Sequence, residues 1–318
     1  MTSKTTFPTL PDIRMAHARI QPMIHRTPIL TNSAIDHLAG CEIYFKCENF
    51  QKVGAFKARG AANAVLKLSS EQRSRGVATH SSGNHAAALA RAASAAGIKS
   101  YIVMPSTAPE IKKKAVESYG GQIIFCEPTL EARQRTLDEV VADTGAAFIP
   151  PYDHLDVIEG QATCALEIWE EELSLDALVA PVGGGGLLGG TALTTHYLAP
   201  KCKVYGAEPE GADDAYRSFQ ADQLIPMKNP KTIADGLLTS LGNLNWEIIR
   251  RYVTDVLTAS DEEIIAAMRL VYERMKIVIE PSCAVPLAVV IKYPAYFNGK
   301  KVGVILSGGN VDLGKLPF

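Results

Sequence analysis

The stretch Gly54-Ala55-Phe56-Lys57-Ala58-Arg59-Gly60 places one lysine between two glycines, beside an aromatic residue. Two glycine-bearing turns follow it, Ser81-Ser82-Gly83-Asn84-His85 and Gly183-Gly184-Gly185-Gly186, each after an apolar run and before a small-residue helical pattern. Backbone N–H groups at the start of a helix bind anions, and a lysine amine condenses with aldehydes. Together the three stretches predict a site for an aldehyde cofactor that carries a phosphate group.

Apolar runs of strand length alternate with helical patterns along most of the chain. This alternation predicts an α/β protein with parallel sheets covered by helices on both faces. Glycine follows several of the runs, which predicts functional loops at the carboxyl ends of the strands. The predicted strands are residues 41–46, 76–80, 100–104, 122–126, 177–182, 203–207 and 302–306.

The composition is that of a globular protein. The chain has 318 residues, 47% of them hydrophobic, and a formal net charge of −2 at pH 7. This length predicts two domains or one large α/β domain, and the charge argues against nucleic acid or an anionic membrane as a partner. No apolar run is long enough to span a bilayer, and residues 1–8 lack the apolar segment of a signal peptide. The six cysteines form no C-x-x-C pair, so we expect free thiols in a reducing cytoplasm.

The chain resembles the fold-type II pyridoxal-phosphate enzymes, in the branch of serine/threonine dehydratases, serine racemase and β-hydroxyaspartate dehydratases. The resemblance runs from about residue 27 to the C-terminus, and implies two open, mainly parallel twisted sheets covered by helices, as in tryptophan synthase β. It implies a large domain (residues 1–76 and 146–318), a small domain (residues 77–145) and an active site in the cleft between them. Besides the three stretches above, its motifs are Lys46-Cys47-Glu48-Asn49-Phe50-Gln51, Ala207-Glu208-Pro209-Glu210 and Ser307-Gly308-Gly309-Asn310.

Lys57 and the tetraglycine loop (residues 183–186) are the predicted cofactor site. The resemblance gives Lys57 the Schiff base with pyridoxal phosphate and the role of base at the substrate Cα. That role needs an amine whose pKa is lowered by burial. Phe56 would form a wall beside the amine, and the N–H groups of the tetraglycine loop would bind the phosphate.

The tetraglycine loop also leaves a second interpretation open. Gly184, Gly186 and Gly189 satisfy G-x-G-x-x-G after a predicted strand, and Glu208 follows 19 residues later, as in a dinucleotide-binding fingerprint. An NAD-binding oxidoreductase would leave Lys57 and residues 81–85 unexplained. A third interpretation is a cofactor-carrying binding protein without turnover, against which the intact Lys57 argues.

Residues 81–85 are predicted to contact both the substrate and the cofactor ring. A helix N-terminus rich in hydroxyls suits the α-carboxylate of an amino acid. The resemblance places Asn84 at the ring hydroxyl and Ser307 at the pyridine nitrogen. Threonine dehydratases usually have alanine where this chain has Ser82, so Ser82 implies a proton carrier on the face opposite Lys57, as racemisation requires. The predicted substrate contacts in this stretch are Ser81, Ser82, Gly83 and His85.

The acidic run after the strand at 203–207 is the predicted metal site. Hard cations such as Mg²⁺, Ca²⁺ or Mn²⁺ prefer oxygen ligands. The resemblance to the serine racemase branch gives the carboxylates of Glu208 and Asp214 and the carbonyl of Ala212 as ligands. Asp213 adds a carboxylate that could compete with Asp214, and a solvated acidic turn is the alternative interpretation.

The predicted reaction is α,β-elimination from a β-hydroxy amino acid, which gives a keto acid and ammonia. L-serine, L-threonine and β-hydroxyaspartate are the candidate substrates, and racemisation of serine is the alternative. Ser82, the acidic run and residues 210–219 favour the side of serine racemase and β-hydroxyaspartate dehydratase over the generic dehydratases. Residues 213–219, 280–287 and 308–313 most resemble a bacterial β-hydroxyaspartate dehydratase. Arg133 would hold its β-carboxylate if it faces the substrate, and is otherwise a surface charge; Tyr152 or Asp153 would line the cofactor. We expect a homodimer with a small-molecule amino acid as its substrate.

Overall fold

The computed structural model describes residues 6–318. The prediction that no signal peptide is present rests partly on residues 1–5, which lie outside this range. The strands are β1 (Ile29–Leu30), β2 (Glu42–Cys47), β3 (Val77–His80), β4 (Ser100–Pro105), β5 (Gln122–Cys126), β6 (Ala147–Phe148), β7 (Ala177–Pro181), β8 (Lys203–Pro209), β9 (Asp255–Ala259) and β10 (Lys301–Leu306).

The strands form two sheets, which confirms the predicted fold class. The larger sheet has the order β1-β2-β10-β7-β8-β9, and the smaller has the order β5-β4-β3-β6. Only β1, which pairs with β2, runs antiparallel. The central strands β7 and β10 are buried along almost their whole length, because helices cover both faces of a parallel sheet.

The helices between the strands follow the predicted alternation. One of them corresponds to the small-residue helical pattern predicted at the turn of residues 81–85, and it ends at Ala95. The helices are α1 (Leu10–Ile20), α2 (Ser33–Ala39), α3 (Lys57–Leu66), α4 (Ser70–Arg75), α5 (Asn84–Ala95), α6 (Glu110–Ser118), α7 (Leu130–Thr144), α8 (Leu155–Glu170), α9 (Gly186–Leu198), α10 (Asp214–Ala221), α11 (Asn243–Tyr252), α12 (Asp261–Met275), α13 (Pro281–Lys292) and α14 (Pro294–Phe297).

All seven predicted strands are present, with ends that differ by at most two residues. The sequence analysis missed β1 and β6, which have two residues each, and the edge strand β9. Strand β6 pairs with β3 and therefore belongs to the smaller sheet, although it lies just beyond residue 145. The division into a large and a small domain stays a prediction.

The packing of α3 on α8 determines where Lys57 lies. A Cβ atom added to Gly160 would lie 2.5 Å from the Cα of Gly60, so the two helices touch through glycine. Because α3 begins at Lys57, this close contact places the lysine at the end of a helix that cannot shift far.

The cysteines are free, as expected, and all six are buried: Cys41, Cys47, Cys126, Cys164, Cys202 and Cys283. Within residues 6–318, none of the helices combines the length and apolar character that crossing a bilayer requires.

Candidate active site

The loops at the carboxyl ends of β3, β7 and β10 surround one cavity of about 470 Å³. The structure therefore brings together sequence motifs that lie more than 200 residues apart. A larger cavity, of about 790 Å³, lies beside α1, α8 and α9 and contains none of the predicted site residues. The predicted site residues that line the first cavity are Phe56, Lys57, Ser81, Ser82, Gly83, Asn84, His85, Arg133, Gly183, Gly184, Gly185, Gly186 and Ser307.

The amine of Lys57 is held by a neutral acceptor. Its Nζ donates a hydrogen bond to the carbonyl oxygen of Pro151 at 2.6 Å and lies 5.1 Å from the centre of the Phe56 ring. Burial lowers the pKa of Lys57 from 10.5 to about 8. An appreciable fraction of the amine is therefore neutral near physiological pH, and only the neutral amine condenses with an aldehyde.

The loop before Lys57 is strained and is held by the loop after β10. Val53 has a φ of 57°, a conformation that costs a β-branched residue on the order of 1–3 kcal/mol. The Phe56 N–H donates to the Ser307 carbonyl at 3.0 Å, and Asn310 Nδ2 donates to the Val53 carbonyl at 2.7 Å. The predicted cofactor stretches around Lys57 and Ser307 thus fix each other.

The tetraglycine loop has the properties of an anion site. Among the described residues, no backbone acceptor lies within hydrogen-bond distance of the N–H groups of Gly183, Gly184 and Gly185. Gly185 has a φ of 92°, and a Cβ on Gly184 would lie 2.1 Å from the Tyr152 ring. The loop requires glycine, leaves its N–H groups available and precedes α9, so the residues present fit a phosphate group.

Residues 81–85 form the turn between β3 and α5. Ser81 Oγ accepts the Gly83 N–H at 3.3 Å, and a Cβ on Gly83 would meet nothing within 4 Å. Space for a ligand is therefore present at the N-terminus of α5. Ser82 lines the cavity beside these residues.

Two side chains orient the amide of Asn84. Its Nδ2 donates to Glu280 Oε1 at 2.8 Å, and its Oδ1 accepts from Asn310 Nδ2 at 2.9 Å. Asn84 is thus fixed before any ligand binds. His85 is buried, with Nε2 2.9 Å from the Ile149 carbonyl oxygen. Burial lowers the pKa of His85 to about 3, so the ring is neutral, and its contact with substrate stays a prediction.

Glu280 is a site residue that the sequence analysis missed. It precedes the first residue of α13, lines the cavity and is 5% exposed. Burial, with a smaller effect of Asp235, raises the pKa of Glu280 to about 7. A glutamate before Pro281 is typical of an ordinary helix start. The signal available in the sequence was a single carboxylate in front of an otherwise apolar helix.

The structure distinguishes the two residues that could line the cofactor. Tyr152 lines the cavity, and its hydroxyl lies 2.9 Å from Thr239 Oγ1. Burial raises the pKa of Tyr152, so the phenol is neutral. Asp153 instead accepts the N–H groups of Asn243 and Leu244 at the N-terminus of α11, where it acts as a helix cap.

Arg133 lies in α7 and its side chain lines the cavity. Its Nε is buried and, among the described residues, has no hydrogen-bond partner. Burial and, to a smaller extent, the positive charge of Arg133 lower the pKa of His80, another residue that lines the cavity. Because Arg133 lines the cavity, its guanidinium charge is available to a carboxylate bound there.

The predicted metal ligands lie outside the cavity, in the acidic run that begins at Glu208, near the end of β8, and reaches the start of α10. Glu208 accepts the N–H groups of Ala215 and Tyr216, at 3.0 and 2.8 Å. Asp214 Oδ2 accepts a hydrogen bond from the Leu241 N–H at 2.7 Å, while Oδ1 is buried and has no hydrogen-bond partner in residues 6–318. Within the described part of the chain, no group of three or more His, Cys, Asp or Glu residues is arranged to hold a metal ion.

The chemistry of this acidic run nevertheless fits a cation. Burial raises the pKa of Glu208 and of Asp214. Ala212 is buried next to them, and Asp213 is paired with Arg217 at 2.8 Å rather than competing. Two buried carboxylates, one with a free oxygen, are what a hard cation would stabilise. In a dinucleotide-binding site the acidic residue must contact the ribose of the ligand. Glu208 is fully buried and cannot do so, which argues against the NAD-binding interpretation.

Comparison with known proteins identifies the family of the chain. The family described as "pyridoxal-phosphate dependent enzyme" matches residues 20–308. The chain is 53% identical to the β-hydroxyaspartate dehydratase of Paracoccus denitrificans, over 98% of this chain and 99% of that protein. It is 50% identical to a serine racemase of Dictyostelium discoideum, over 97% and 96%, and 48% identical to the L-threo-3-hydroxyaspartate ammonia-lyase of Saccharomyces cerevisiae, over 96% and 94%. The crystal structure of the Dictyostelium serine racemase matches with a TM-score of 0.92, covering 96% of this chain and 99% of that chain, at 49% identity.

Proposed function

The chain belongs to the pyridoxal-phosphate dependent enzyme family, and we propose that it is an ammonia-lyase that eliminates water from β-hydroxy amino acids, with β-hydroxyaspartate as its preferred substrate. The observation that carries the proposal is the cavity itself. It combines the Lys57 amine, the free N–H groups of the tetraglycine loop and the buried Arg133 donor within one space.

We propose the following residues for the cofactor. Lys57 would hold the aldehyde carbon, the tetraglycine loop the phosphate, Asn84 the ring hydroxyl and Ser307 the pyridine nitrogen, with Phe56 beside the ring. When bound, pyridoxal phosphate supplies an aldehyde for the amine and a conjugated ring that accepts the electron pair released at Cα. A neutral hydroxyl from Ser307 leaves the pyridine nitrogen unprotonated, which favours elimination over transamination.

The side chains of the protein would move two protons. Lys57 Nζ takes the proton from the substrate Cα, which its lowered pKa allows near neutral pH. The β-hydroxyl leaves as water only if it receives a proton, and either Ser82, which lines the cavity, or the phosphate of the bound cofactor is the candidate donor. The Cα proton and the β-hydroxyl together make one water molecule. The enamine that remains becomes an imine, and its hydrolysis consumes one water and gives the keto acid and ammonia.

The preference for a dicarboxylate rests on Arg133. The hydroxyl-rich turn at residues 81–85 would bind the α-carboxylate, so the guanidinium of Arg133 in the same cavity would have no carboxylate to bind in serine or threonine. Two of the three relatives described above act on hydroxyaspartate by their names, which supports this choice.

Racemisation of serine is the second candidate function. Ser82 lines the cavity as an additional hydroxyl, and a serine racemase is among the close relatives. A racemase needs a proton donor on the face of Cα opposite the lysine, and Ser82 is the proposed donor. The two reactions share the removal of the Cα proton by Lys57, so one protein can carry out both.

We also propose a structural Mg²⁺ or Ca²⁺ ion at Glu208, Asp214 and the Ala212 carbonyl. The support is the unpartnered Asp214 oxygen and the raised pKa of both carboxylates. Such an ion would order the segment after β8 and take no part in the chemistry on substrate. A homodimer in the cytoplasm is proposed from the resemblance, and the free buried thiols suit a reducing compartment.

The test is an assay of the purified protein, loaded with pyridoxal phosphate, on L-serine, L-threonine and the stereoisomers of β-hydroxyaspartate. Keto acid, ammonia and D-serine are measured on the same sample. Keto acid and ammonia in equal amounts support elimination. D-serine in excess over pyruvate, with no oxaloacetate, supports the racemase. A near-visible absorbance band without any product would support a binding protein without turnover.

A further inference from the structure

A cluster of four buried charges lies directly beneath the first turn of α3. Arg59, two residues after Lys57, is fully buried. Its guanidinium pairs with Glu48 through Nε–Oε2 and Nη2–Oε1, both at 2.7 Å, and with Glu167 through Nη1–Oε1 and Nη2–Oε2, both at 2.8 Å. Lys46 Nζ donates to Glu167 Oε2 at 2.6 Å. Two positive and two negative groups thus form a cluster with no net charge.

Every donor of the Arg59 guanidinium has an acceptor. The four bonds to carboxylates are completed by Nη1 to Thr163 Oγ1 at 3.2 Å, which uses all five N–H groups. Glu48 belongs to the segment after β2, whereas Thr163 and Glu167 belong to α8. The guanidinium is planar and each of its five N–H groups has an acceptor, so only one orientation of the Arg59 side chain satisfies them all. Arg59 therefore connects α3 both to the segment after β2 and to α8.

Such a cluster is a poor source of stability, because the charges lose their hydration when they are buried. Apolar residues of the same volume would pack here at little or no loss. What the charges add is direction, since hydrogen bonds fix the angle and register of a helix more closely than apolar contacts do. The element they fix starts at Lys57. Among the residues that the structure describes, the amine at the end of this flexible side chain has a single hydrogen bond, to Pro151.

We propose that Arg59 is a positioning residue for Lys57: together with Glu48 and Glu167 it fixes the first turn of α3 and so the place of the amine in the cavity. The inference rests on the proposed role of Lys57. It predicts that, in variants that fold, loosening Arg59 impairs the reactions of the amine far more than loss of an ion pair at the other end of α3 does.

The other end of α3 provides a matched control. Lys67, the residue that follows α3, pairs with Asp156 and with Glu159 Oε2, the latter at 2.9 Å. Both carboxylates belong to α8, so Lys67 joins the same two helices as Arg59 does. It lies ten residues from Lys57 and is partly exposed. Loss of this pair tests whether any ion pair between α3 and α8 matters to the site.

The experiment compares Arg59→Lys with Lys67→Met in the full-length protein. Arg59→Lys keeps the positive charge and removes the planar guanidinium with its paired hydrogen bonds. The first readout, which needs no substrate, is the rate at which the apoenzyme regains near-visible absorbance on addition of pyridoxal phosphate. The second is kcat and KM with whichever substrate the panel identifies, and circular dichroism checks that each variant is folded. The first readout stays valid even if the proposed substrate is wrong.

For Arg59→Lys we expect kcat to fall about 10- to 100-fold and reconstitution to slow about tenfold or more, because a displacement near 1 Å has an effect of that order. KM should change little, and Lys67→Met should match the wild type in both readouts. If Arg59→Lys does not fold, Thr163→Val, which removes one acceptor and no charge, takes its place and should slow reconstitution. Wild-type behaviour of the folded Arg59 or Thr163 variant, or an equal loss in Lys67→Met, would overturn the proposal.

Discussion

The amine of Lys57 donates a hydrogen bond to the carbonyl oxygen of Pro151 over 2.6 Å. The acceptor carries no charge, so the bond orients the amine without favouring its protonated form as a carboxylate would. Burial then determines the pKa, which falls to about 8. Burial in the folded protein thus gives Lys57 the lowered pKa that the proposed nucleophile and base requires.

The first prediction concerns this pKa. Only the neutral amine condenses with pyridoxal phosphate, and its fraction rises as the pH increases through the pKa. The reconstitution rate of the apoenzyme should therefore rise with a midpoint near pH 8, against 10.5 for an ordinary lysine. Stopped-flow absorbance between pH 6 and 10 measures it, with Lys57→Ala as the blank. A midpoint near 10, or a wild-type absorbance band in Lys57→Ala, would show that Lys57 is not the group.

The second prediction is that Ser82→Ala separates racemisation from elimination. If Ser82 supplies the proton on the face opposite Lys57, formation of D-serine falls much more than formation of pyruvate from L-serine. Ser81→Ala is the matched variant, because Ser81 Oγ accepts the Gly83 N–H and its loss should lower both products alike. Equal losses in Ser82→Ala would mean that Ser82 acts in both reactions, either by positioning the substrate or by protonating the leaving hydroxyl, and is not a specific proton donor for racemisation. The comparison applies if the wild type makes D-serine.

The third prediction concerns the cation. Treatment with a chelator should lower the thermal midpoint, and Mg²⁺ or Ca²⁺ should restore it, since a ligand at a hundred times its Kd stabilises a fold by about 2.7 kcal/mol. Asp214→Asn should abolish the response. Asp213→Asn should keep it, because Asp213 is engaged with Arg217. Thermal midpoints that do not move with either treatment would show that Glu208 and Asp214 are buried carboxylates that hold no cation.

The fourth prediction is that Arg133→Ala acts on one class of substrate. A β-carboxylate loses a charge-assisted contact of about 1.5–3 kcal/mol, or roughly 10- to 100-fold in kcat/KM, whereas serine loses nothing comparable. Arg135→Ala is the control, because Arg135 lies on the same helix and is exposed. Steady-state kinetics with β-hydroxyaspartate and L-serine decide the matter. An equal change for both substrates would remove Arg133 from substrate recognition.

Much of this site was predictable because its motifs sit directly after strands. The carboxyl ends of parallel strands meet at one edge of a sheet, so Gly183 and Ser307, which follow neighbouring strands of the larger sheet, had to approach each other. Ser81 follows a strand of the smaller sheet, so only the resemblance to a known family brought it to the same site. The short edge strand β6 gave no comparable signal, since two residues show no periodicity. The sequence also could not separate Tyr152 from Asp153, because only the position of α11 makes Asp153 a cap.

The residues that escaped prediction have partners far away along the chain. Glu280 contacts Asn84, which lies 196 residues before it, and Arg59 contacts Glu167, which lies 108 residues after it. Neither pair has a local spacing, so each carboxylate is indistinguishable in the sequence from a surface charge. The pKa of Glu280 near 7 likewise follows from burial, which a tertiary structure alone reveals.

The most direct test is a competition assay, in which the enzyme loaded with pyridoxal phosphate receives L-serine and one β-hydroxyaspartate stereoisomer in the same tube, with Lys57→Ala as the blank. The ratio of oxaloacetate to pyruvate, corrected for concentration, gives the ratio of the two kcat/KM values. We predict oxaloacetate and ammonia in equal amounts from at least one stereoisomer, with a ratio well above one. Pyruvate or D-serine from L-serine without oxaloacetate from any stereoisomer would contradict the assignment of a hydroxyaspartate dehydratase.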